Sequence, residues 1–229
     1  MVEGMPRKST VVIGRTGKNV VTYLGGDSLF PLAENRRFTD VQVTLQNDHE
    51  CIAGNEKFTA WMWGRGTVAV VPSYEYKRLP YDFPMIKAHN GAVTALQWSP
   101  FSDRLLATAS EDGLVRCFVI DEAGISSNIM EADVELEEHN RKIVWMEWHN
   151  SVDNVIASSA VDKLVKVWDV NKADTIVSLD LEGTIQQMQW GPNGDVLACT
   201  NKDTGELILV DPRDESSKLN VTSGLSKRF

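Results

Sequence analysis

Two segments of this chain align with each other without a gap at a period of 50 residues. The first segment runs from His89 to Ile120, and the second runs from His139 to Val170. In both segments a His precedes a Trp by nine positions, and that Trp precedes an Asp by fourteen. Self-similarity at a fixed period indicates a repeat architecture, in which each unit buries its apolar faces against its neighbours.

A third and weaker copy extends from Thr184 to Asp211, where Trp190 precedes Asp203 by thirteen positions and the His is missing. Each copy has an apolar first strand before its Trp, a second apolar strand, an Asp-containing turn and a β-branched or apolar third strand. A variable fourth strand would complete one blade. The pattern therefore predicts an all-β fold, a WD40-type β-propeller.

Four positions of each blade are predicted to form a buried hydrogen-bond network. A buried His can donate to the Asp of the turn and accept from a hydroxyl on the second strand, while the hydroxyl contacts a Trp indole on the third strand. The second copy carries the complete set, which is His139, Ser158, Asp162 and Trp168. Because the set recurs at the structural period, it favours architecture over a catalytic pair or a metal site.

The other two copies carry incomplete sets. The first copy keeps His89, Thr108 and Asp112, but Phe118 stands in place of the Trp, so the network loses its last donor. The third copy keeps only Asp203.

An additional degenerate blade is predicted upstream, with strands at Phe38 to Leu45, Cys51 to Ala53, Lys57 to Trp63 and Thr67 to Val71. Trp61 and Trp63 share one face of a strand, and we interpret them as core residues rather than as an exposed binding platform. The resulting boundaries are an N-terminal extension at 1–37, blades at about 38–80, 86–138, 139–180 and 181–213, and the start of a truncated fifth blade at 214–229.

The 50-residue period exceeds the roughly 40–45 residues of a WD40 unit, and the excess lies between Asp121 and Glu138. Within it, apolar and acidic residues alternate from Met130 to Glu137. This alternation predicts an outer blade strand whose charged face resists pairing with foreign strands, and we favour that interpretation over an acidic docking motif.

Composition and charge exclude several function classes. A formal charge of -9 without a basic cluster opposes nucleic-acid binding, and no apolar run is long enough to span a membrane. The N-terminus lacks the apolar core of a secretory signal. The chain has an odd number of cysteines, which lie far apart at Cys51, Cys117 and Cys199. This pattern favours buried thiols in a reducing, cytoplasmic location over disulfides.

The sequence lacks a recognisable catalytic or metal-binding motif. The segment from Gly14 to Asn19 fails as a phosphate-binding loop, because it has two residues between its glycines rather than four and an Asn after its Lys. His49 and His149 have no Cys or carboxylate cluster at ligand spacing, and we predict that both lie on the surface. We therefore expect a protein that is not an enzyme and needs no cofactor or metal.

The region from Phe38 to Phe229 resembles the N-terminal propeller of coronins in the order and spacing of its motifs. The shared motifs are Asp40-Val41-Gln42-Val43, Trp98-Ser99-Pro100-Phe101, Leu105-Leu106-Ala107, Val167-Trp168-Asp169-Val170 and Val210-Asp211-Pro212-Arg213. The Ser99-Pro100-Phe101 element is most similar to the corresponding element of the tandem-propeller coronins.

The resemblance implies a seven-bladed, non-catalytic propeller of the actin cytoskeleton that binds filamentous actin and actin-regulating proteins. Coronins commonly carry an actin-contacting Arg where this chain has Gln42, and Arg36 and Arg37 supply positive charge nearby. These three residues are the candidate actin-contact region. The alternative is a WD40 scaffold of vesicle or Golgi traffic without direct actin binding. Whether the full-length protein is oligomeric stays open.

The chain is expected to hold only about four of the seven blades, and hence an incomplete ring. The segment from Ser223 to Phe229 resembles the opening of a fifth blade. An open arc exposes the faces of its first and last blades, so we expect a fragment of a longer protein. A purified 229-residue chain that is monomeric and folds cooperatively would contradict this expectation.

Overall fold

The computed structural model is all-β and describes residues 52–73, 79–80 and 82–221, which belong to the compact unit of residues 38–229. Within this part of the chain, antiparallel strands form four consecutive sheets, and neighbours in sequence are neighbours in each sheet. The four sheets confirm the predicted succession of about four propeller blades. The described residues include no helix that could cross a membrane.

Each sheet is numbered by its order along the chain. Sheet 1 contains β1 (Ile52–Gly54), β2 (Phe58–Gly64) and β3 (Thr67–Pro72). Sheet 2 contains β4 (Val93–Trp98), β5 (Leu105–Ser110), β6 (Val115–Val119) and β7 (Val134–Leu136). Sheet 3 contains β8 (Ile143–Trp148), β9 (Val155–Ala160), β10 (Leu164–Asp169) and β11 (Asp174–Asp180). Sheet 4 contains β12 (Ile185–Trp190), β13 (Leu197–Asn201), β14 (Leu207–Asp211) and β15 (Asp214–Val221).

The outer edge of sheet 1 continues beyond β3 through an isolated backbone bridge between Val68 and Ile86. The Val68 N–H donates to the Ile86 carbonyl at 3.0 Å, and the Ile86 N–H donates back at 2.9 Å. The predicted boundary put residue 86 at the start of the second blade, but this pairing assigns it to sheet 1. The predicted strand from Phe38 to Leu45 lies outside the described residues.

The extra length of the second blade lies between β6 and β7, where the sequence put it. Part of this segment returns to sheet 1, because Ile129 pairs with Ile86 and donates its N–H to the Met85 carbonyl at 3.0 Å. The predicted strand from Met130 to Glu137 is therefore too long. Only Val134–Leu136 pairs with β6, and the side chain of Met130 is exposed.

The last strand of sheet 4 corrects the predicted start of the fifth blade at residue 214. Residues Asp214–Val221 form β15, which pairs with β14 along the outer edge of sheet 4. The turn before it is held by Arg213, whose Nε and Nη2 donate to the two Asp211 carboxylate oxygens at 2.8 and 2.7 Å. Because this turn is tight, the chain returns along β14. Residues 222–229 lie outside the described residues.

The turns between the second and third strands repeat one backbone feature. Each has a residue with a positive φ, and these residues are Gly66, Gly113, Lys163 and Gly205. A Cβ at Gly66 would lie 2.7 Å from the His89 carbonyl oxygen, and one at Gly113 would lie 3.0 Å from that of His139. Glycine is needed at these two turns both for conformation and for close approach to the next sheet.

Apolar layers between neighbouring sheets form the core. Three clusters of buried side chains lie between sheets 1 and 2, 2 and 3, and 3 and 4. Between sheets 2 and 3, small residues such as Ala107 and Ala109 face large ones such as Trp148, Ile156 and Trp168. This pairing of small with large side chains allows the two sheets to pack closely.

Trp61 and Trp63 lie in a fourth apolar cluster on sheet 1, together with Leu79 and Phe83. Trp61 is buried, and the Trp63 ring meets the Phe83 ring edge-on with centroids 4.9 Å apart. The prediction that these two tryptophans serve the core rather than an exposed platform is confirmed.

Candidate functional site

The four network residues of sheet 3 meet where the β9–β10 turn approaches the segment before β8. The Trp168 indole N–H donates to Ser158 Oγ at 2.8 Å. Ser158 Oγ lies 2.8 Å from His139 Nε2, and His139 Nδ1 lies 2.9 Å from Asp162 Oδ2. Because the Asp162 carboxylate accepts, the Nδ1–H of His139 donates to it, and the Nε2 of the neutral ring then accepts from the Ser158 hydroxyl.

The histidine of this network is neutral at neutral pH. Burial lowers the pKa of His139 below its ordinary value, although the hydrogen bond to Asp162 opposes the shift. Asp162 also accepts backbone N–H bonds from Asn140 at 3.3 Å and Leu164 at 3.1 Å. Asp162 thereby joins the turn to the histidine-bearing segment, which is a structural role.

Sheet 2 has the equivalent histidine but a different partner. The Nη1 of Arg116 lies 2.7 Å from His89 Nδ1 and donates to Asp112 Oδ2 at 2.8 Å. His89 Nδ1 and Asp112 Oδ2 are 3.5 Å apart, so the guanidinium takes the place of the direct His–Asp bond. Arg116 Nε also donates to Glu135 Oε1 at 2.7 Å. Thr108 receives no indole donor in this sheet, as expected from Phe118, and Arg116 instead adds a donor at the other end of the network, to His89 and Asp112.

Because Arg116 contacts His89 Nδ1, His89 has the opposite tautomer to His139. Because Arg116 can only donate, His89 Nδ1 must accept, and the proton lies on Nε2, which donates to Thr108 Oγ1 at 2.6 Å. Burial lowers the pKa of His89, as it does for His139. Burial opposes ionisation of Asp112, but its contacts with His89 and Arg116 hold the pKa of that carboxyl well below its ordinary value.

Sequence reasoning missed Arg116, although a cation within an apolar strand could have indicated it. It is buried in the middle of β6, and a cation in an otherwise apolar strand needs a carboxylate nearby. The position one period later is Lys166, which donates to Glu138 Oε2 at 2.8 Å and lies 5.7 Å from the centre of the Trp168 ring. Both repeats thus carry a cation at this position, but only Arg116 enters the network.

Sheet 4 replaces the network with a smaller turn. Asp203 Oδ2 accepts from the Thr184 N–H at 2.8 Å, and the buried Asn201 accepts from the Asp203 N–H at 2.9 Å. The positions of the hydroxyl and the Trp are taken by Cys199 and Val210, both within an apolar cluster.

The described cysteines are buried thiols. Cys117 and Cys199 are free, and burial raises the pKa of each to about 12. A thiol with so high a pKa is not a nucleophile at neutral pH. Cys51 lies outside the described residues.

The Trp at the end of each first strand has a second role, which sequence reasoning used only as a periodic marker. The Trp98 indole N–H donates to the Ala53 carbonyl of sheet 1 at 3.3 Å, and that of Trp148 donates to the Gln97 carbonyl of sheet 2 at 3.2 Å. The Gln97 side chain also accepts from the Trp148 backbone N–H at 2.9 Å. Trp190 holds the corresponding position in sheet 4, but its buried indole nitrogen has no acceptor among the described residues.

His149 was predicted to lie on the surface, and this prediction is wrong. Its side chain is buried against the Trp190 ring, with ring centroids 4.4 Å apart. Its Nδ1 accepts from the Val152 N–H at 2.9 Å, and its Nε2 donates to the Gly194 carbonyl at 2.9 Å. The ring is buried because it joins the β8–β9 turn to the β12–β13 turn of the next sheet.

Several predicted features lie outside the described residues, namely His49, the segment from Gly14 to Asn19 and the candidate actin-contact residues Arg36, Arg37 and Gln42. Over residues 52–73, 79–80 and 82–221, no group of three or more His, Cys, Asp or Glu side chains is arranged to hold a metal ion.

The family comparison matches the two best-formed repeats. The model described as "WD domain, G-beta repeat" matches residues 83–118 and 133–169. These matches include the histidine, hydroxyl and aspartate positions of sheets 2 and 3. The repeats, the successive antiparallel sheets and the networks define a protein that contains WD40 repeats.

Among proteins with WD40 repeats, the chain is similar to coronins. Human Coronin-2B is 34% identical over 104 residues, which are 43% of this chain and 22% of that protein. Human Coronin-2A is 27% identical over 194 residues, which are 80% of this chain and 37% of that protein. The WD40 domain of Toxoplasma gondii coronin superposes with a TM-score of 0.73 at 28% identity, over 80% of this chain and 47% of that one.

These comparisons confirm the resemblance to coronins that the sequence motifs indicated. The chain spans less than half the length of each of these relatives.

Proposed function

We propose that this chain is part of an actin-filament-binding scaffold of the cytoplasmic actin cytoskeleton. The observation that carries the proposal is the structural match to a coronin WD40 domain over 80% of the chain. The coarser role, a coronin-type WD40 scaffold, is supported by fold and sequence together. Actin filaments and actin-regulating proteins are the partners that the coronin resemblance suggests.

A non-catalytic role agrees with the state of the buried polar residues. The side chains of His89 and His139 have no exposed surface, and their ring nitrogens contact groups of the same blade or its adjoining segment. A general base must reach a proton of the substrate, and neither ring can do so from these positions. We therefore propose that these residues serve the fold rather than a reaction.

Co-sedimentation with actin filaments tests the proposal. We expect the complete protein that contains this chain to pellet with filaments in a saturable manner at low salt, and to pellet less as salt rises. A complete protein that stays in the supernatant at every filament concentration would contradict direct actin binding. In that case a WD40 scaffold for another assembly, such as vesicle or Golgi traffic, would be favoured.

The candidate actin-contact region offers a sharper test through Gln42→Arg. An arginine is the residue that coronins commonly carry at this position, and actin filaments are acidic partners for it. We expect Gln42→Arg to raise the pelleted fraction several-fold at low salt, whereas Gln42→Ala leaves it unchanged. Equal pelleting of both variants would show that this position makes no contact.

Charge-reversal variants, one in the candidate actin-contact region and one outside it, complete the test. Arg36→Glu and Arg37→Glu together should lower the pelleted fraction if the region binds filaments. Lys202→Glu is the control, because Lys202 is an exposed cation in the β13–β14 turn, far along the chain from this region. The same loss in both variants would indicate a general charge effect rather than a defined contact.

A further inference from the structure

A pocket of about 280 Å³ opens between sheets 3 and 4, beside the β8–β9 and β12–β13 turns. We name it the sheet 3–4 pocket. Its apolar walls include Val152, Val155, Val167, Ile176 and Trp190. Ile176 is 54% exposed and Val152 is 49% exposed, so two large apolar side chains face solvent at one opening. Exposed apolar residues that cluster around a concavity mark interaction sites more often than single exposed residues do.

The mouth of this pocket is held in shape by hydrogen bonds between the two turns. His149 Nε2 donates to the Gly194 carbonyl at 2.9 Å, Asn150 Nδ2 to the Gly191 carbonyl at 2.7 Å, and Ser151 Oγ to the Asn193 carbonyl at 3.0 Å. A preformed cavity loses little conformational freedom when it binds a partner. The walls are therefore in place before any partner arrives.

One wall residue carries an unused hydrogen-bond donor. Trp190 is 7% exposed, and its indole nitrogen is buried without an acceptor. The equivalent tryptophans, Trp98 and Trp148, both donate to carbonyls of the neighbouring sheet. A buried donor without a partner is costly, but this nitrogen is closed to solvent, so a carbonyl group could contact it only if the Trp190 side chain moved.

The turns around the pocket are acidic. Residues 149–155, 169–174, 191–196 and 211–214 contain six aspartates, and their only cations are Lys172 and Arg213. Both cations already pair with aspartates of these turns, Lys172 with Asp169 at 2.9 Å and Arg213 with Asp211 at 2.7 Å. Asp195 and Arg213 both line the pocket itself, and the Arg213 charge is compensated by its contact with Asp211. With six aspartates against two cations, the turns together carry an excess of negative charge that attracts positive charge.

We propose that the sheet 3–4 pocket binds a peptide segment of a protein partner, with an aliphatic anchor side chain in the pocket and basic residues on either side of it. The apolar walls receive the anchor, and the aspartates of the surrounding turns attract the flanking cations. This site is independent of the proposed actin contact, which rests on Arg36, Arg37 and Gln42.

The pocket lies at the lower limit of the volumes of small-molecule sites, and its mostly apolar walls suit an aliphatic side chain. Sites for drug-sized ligands and cofactors usually enclose about 300–1,000 Å³. A smaller, mostly apolar cavity suits one anchor residue, and anchors in such central pockets carry much of the energy of protein interfaces.

The test uses fluorescein-labelled peptides and the 229-residue chain, with binding measured by fluorescence anisotropy at low salt. The probe peptide has the sequence KRLLRK. The control peptide KRSSRK keeps every charge and removes the anchor, whereas EDLLDE keeps the anchor and reverses the charge. We expect saturable binding of KRLLRK and at least tenfold weaker binding of both controls.

Variants of the protein then locate the site. We expect Ile176→Lys to weaken KRLLRK binding at least tenfold, because it puts a cation at the opening in place of an apolar wall. Val119→Lys is the matched control, since Val119 is 50% exposed in sheet 2 and receives the same charge, and it should leave binding unchanged. Asp195→Asn should weaken binding about threefold with little effect on the fold. Glu122→Gln, which removes a charge away from the pocket, should leave binding unchanged.

Three results would overturn the proposal. The first is the absence of saturable KRLLRK binding to the wild-type chain. The second is equal affinity for KRLLRK and KRSSRK, which would mean charge attraction alone. The third is equal binding by Ile176→Lys and Val119→Lys when both have the circular dichroism spectrum of the wild-type chain. None of these results bears on actin co-sedimentation, so the two proposals fail separately.

Discussion

The networks of sheets 2 and 3 occupy the same place in two repeats that align without a gap, yet they bond differently. In sheet 3 a chain of hydrogen bonds without a cation runs from Trp168 through Ser158 and His139 to Asp162. In sheet 2 the Trp is a Phe, and Arg116 contacts both His89 and Asp112. The two networks therefore share the histidine, hydroxyl and aspartate positions, but their additional donor comes from different positions of the third strand.

The difference between the two networks is one of charge. Asp162 is held by a neutral imidazole and backbone N–H groups, whereas Asp112 is paired with a buried guanidinium. Removing one partner of a buried ion pair leaves an uncompensated charge, which costs more than the loss of a neutral hydrogen bond. The two sheets should therefore respond differently to equivalent substitutions.

The largest expected contrast is between Asp112→Ala and Asp162→Ala. We expect Asp112→Ala to lower the free energy of unfolding by about 3–5 kcal/mol, because Arg116 loses its more buried carboxylate. Asp162→Ala should cost about 1–3 kcal/mol. Urea denaturation followed by circular dichroism measures both values. Equal losses in the two variants would mean that Glu135 alone is sufficient to compensate Arg116.

A smaller effect is expected from Trp168→Phe, which converts the third strand of sheet 3 to the residue type found in sheet 2. The substitution keeps a ring but removes the donor to Ser158, and we expect a loss of about 1–2 kcal/mol in the free energy of unfolding. Trp190→Phe is the control, because its indole nitrogen has no acceptor, and it should cost less. The reverse order would show that ring volume outweighs the hydrogen bond.

Acid should weaken both networks through their histidines. Burial lowers the folded-state pKa of His89 and His139 below the unfolded value of about 6.5. The unfolded chain then binds more protons, so stability is present above the unfolded pKa and is lost as pH falls through the folded pKa. We expect the melting temperature to fall from pH 7.5 to pH 5.5.

The variant His139→Gln should lower the melting temperature at pH 7.5 and also flatten its dependence on pH. An unchanged slope in this variant would assign the pH dependence to groups other than His139.

The smallest expected effect is a gain in the free energy of unfolding. Lys163 has a φ of 70° at the turn position that Gly113 occupies in sheet 2 with a φ of 85°. Glycine adopts this conformation without strain, but it also has more freedom in the unfolded chain. We expect Lys163→Gly to raise the free energy of unfolding by roughly 0.5 kcal/mol. Lys163→Ala keeps the Cβ and should give no gain, so equal stability of the two variants would contradict the conformational explanation.

Much of the fold was predictable from the chain because the repeat fixes the spacing of strands and turns. The strands from β4 to β6 and from β8 to β10 lie where the columns around Trp98 and Trp148 predicted them. The outer strands were less predictable. Met130 to Glu137 alternates as a strand does, but the preceding backbone pairs with Ile86 of sheet 1, so β7 is confined to Val134–Leu136.

The network residues could be identified from the sequence, but their bonding could not. Arg116 was missed because its Nη1 must reach a ring 27 positions earlier, a contact that no local pattern shows. His149 was assigned to the surface because it falls near a loop without a Cys or carboxylate cluster at ligand spacing, whereas its ring contacts Gly194 of the next sheet. Contacts between adjacent sheets join residues about 45–51 positions apart and depend on how the turns pack.

The sequence by itself determined that this chain forms successive WD40 blades with a histidine, a hydroxyl and an aspartate in two of them, because a strict period leaves few alternative folds. The tertiary structure alone decided which donor completes each network, which nitrogen of His89 and of His139 carries the proton, and where the sheet 3–4 pocket opens. The physical reason is that a period fixes positions along the chain, whereas hydrogen-bond partners and cavities depend on the distances between side chains of different strands and sheets.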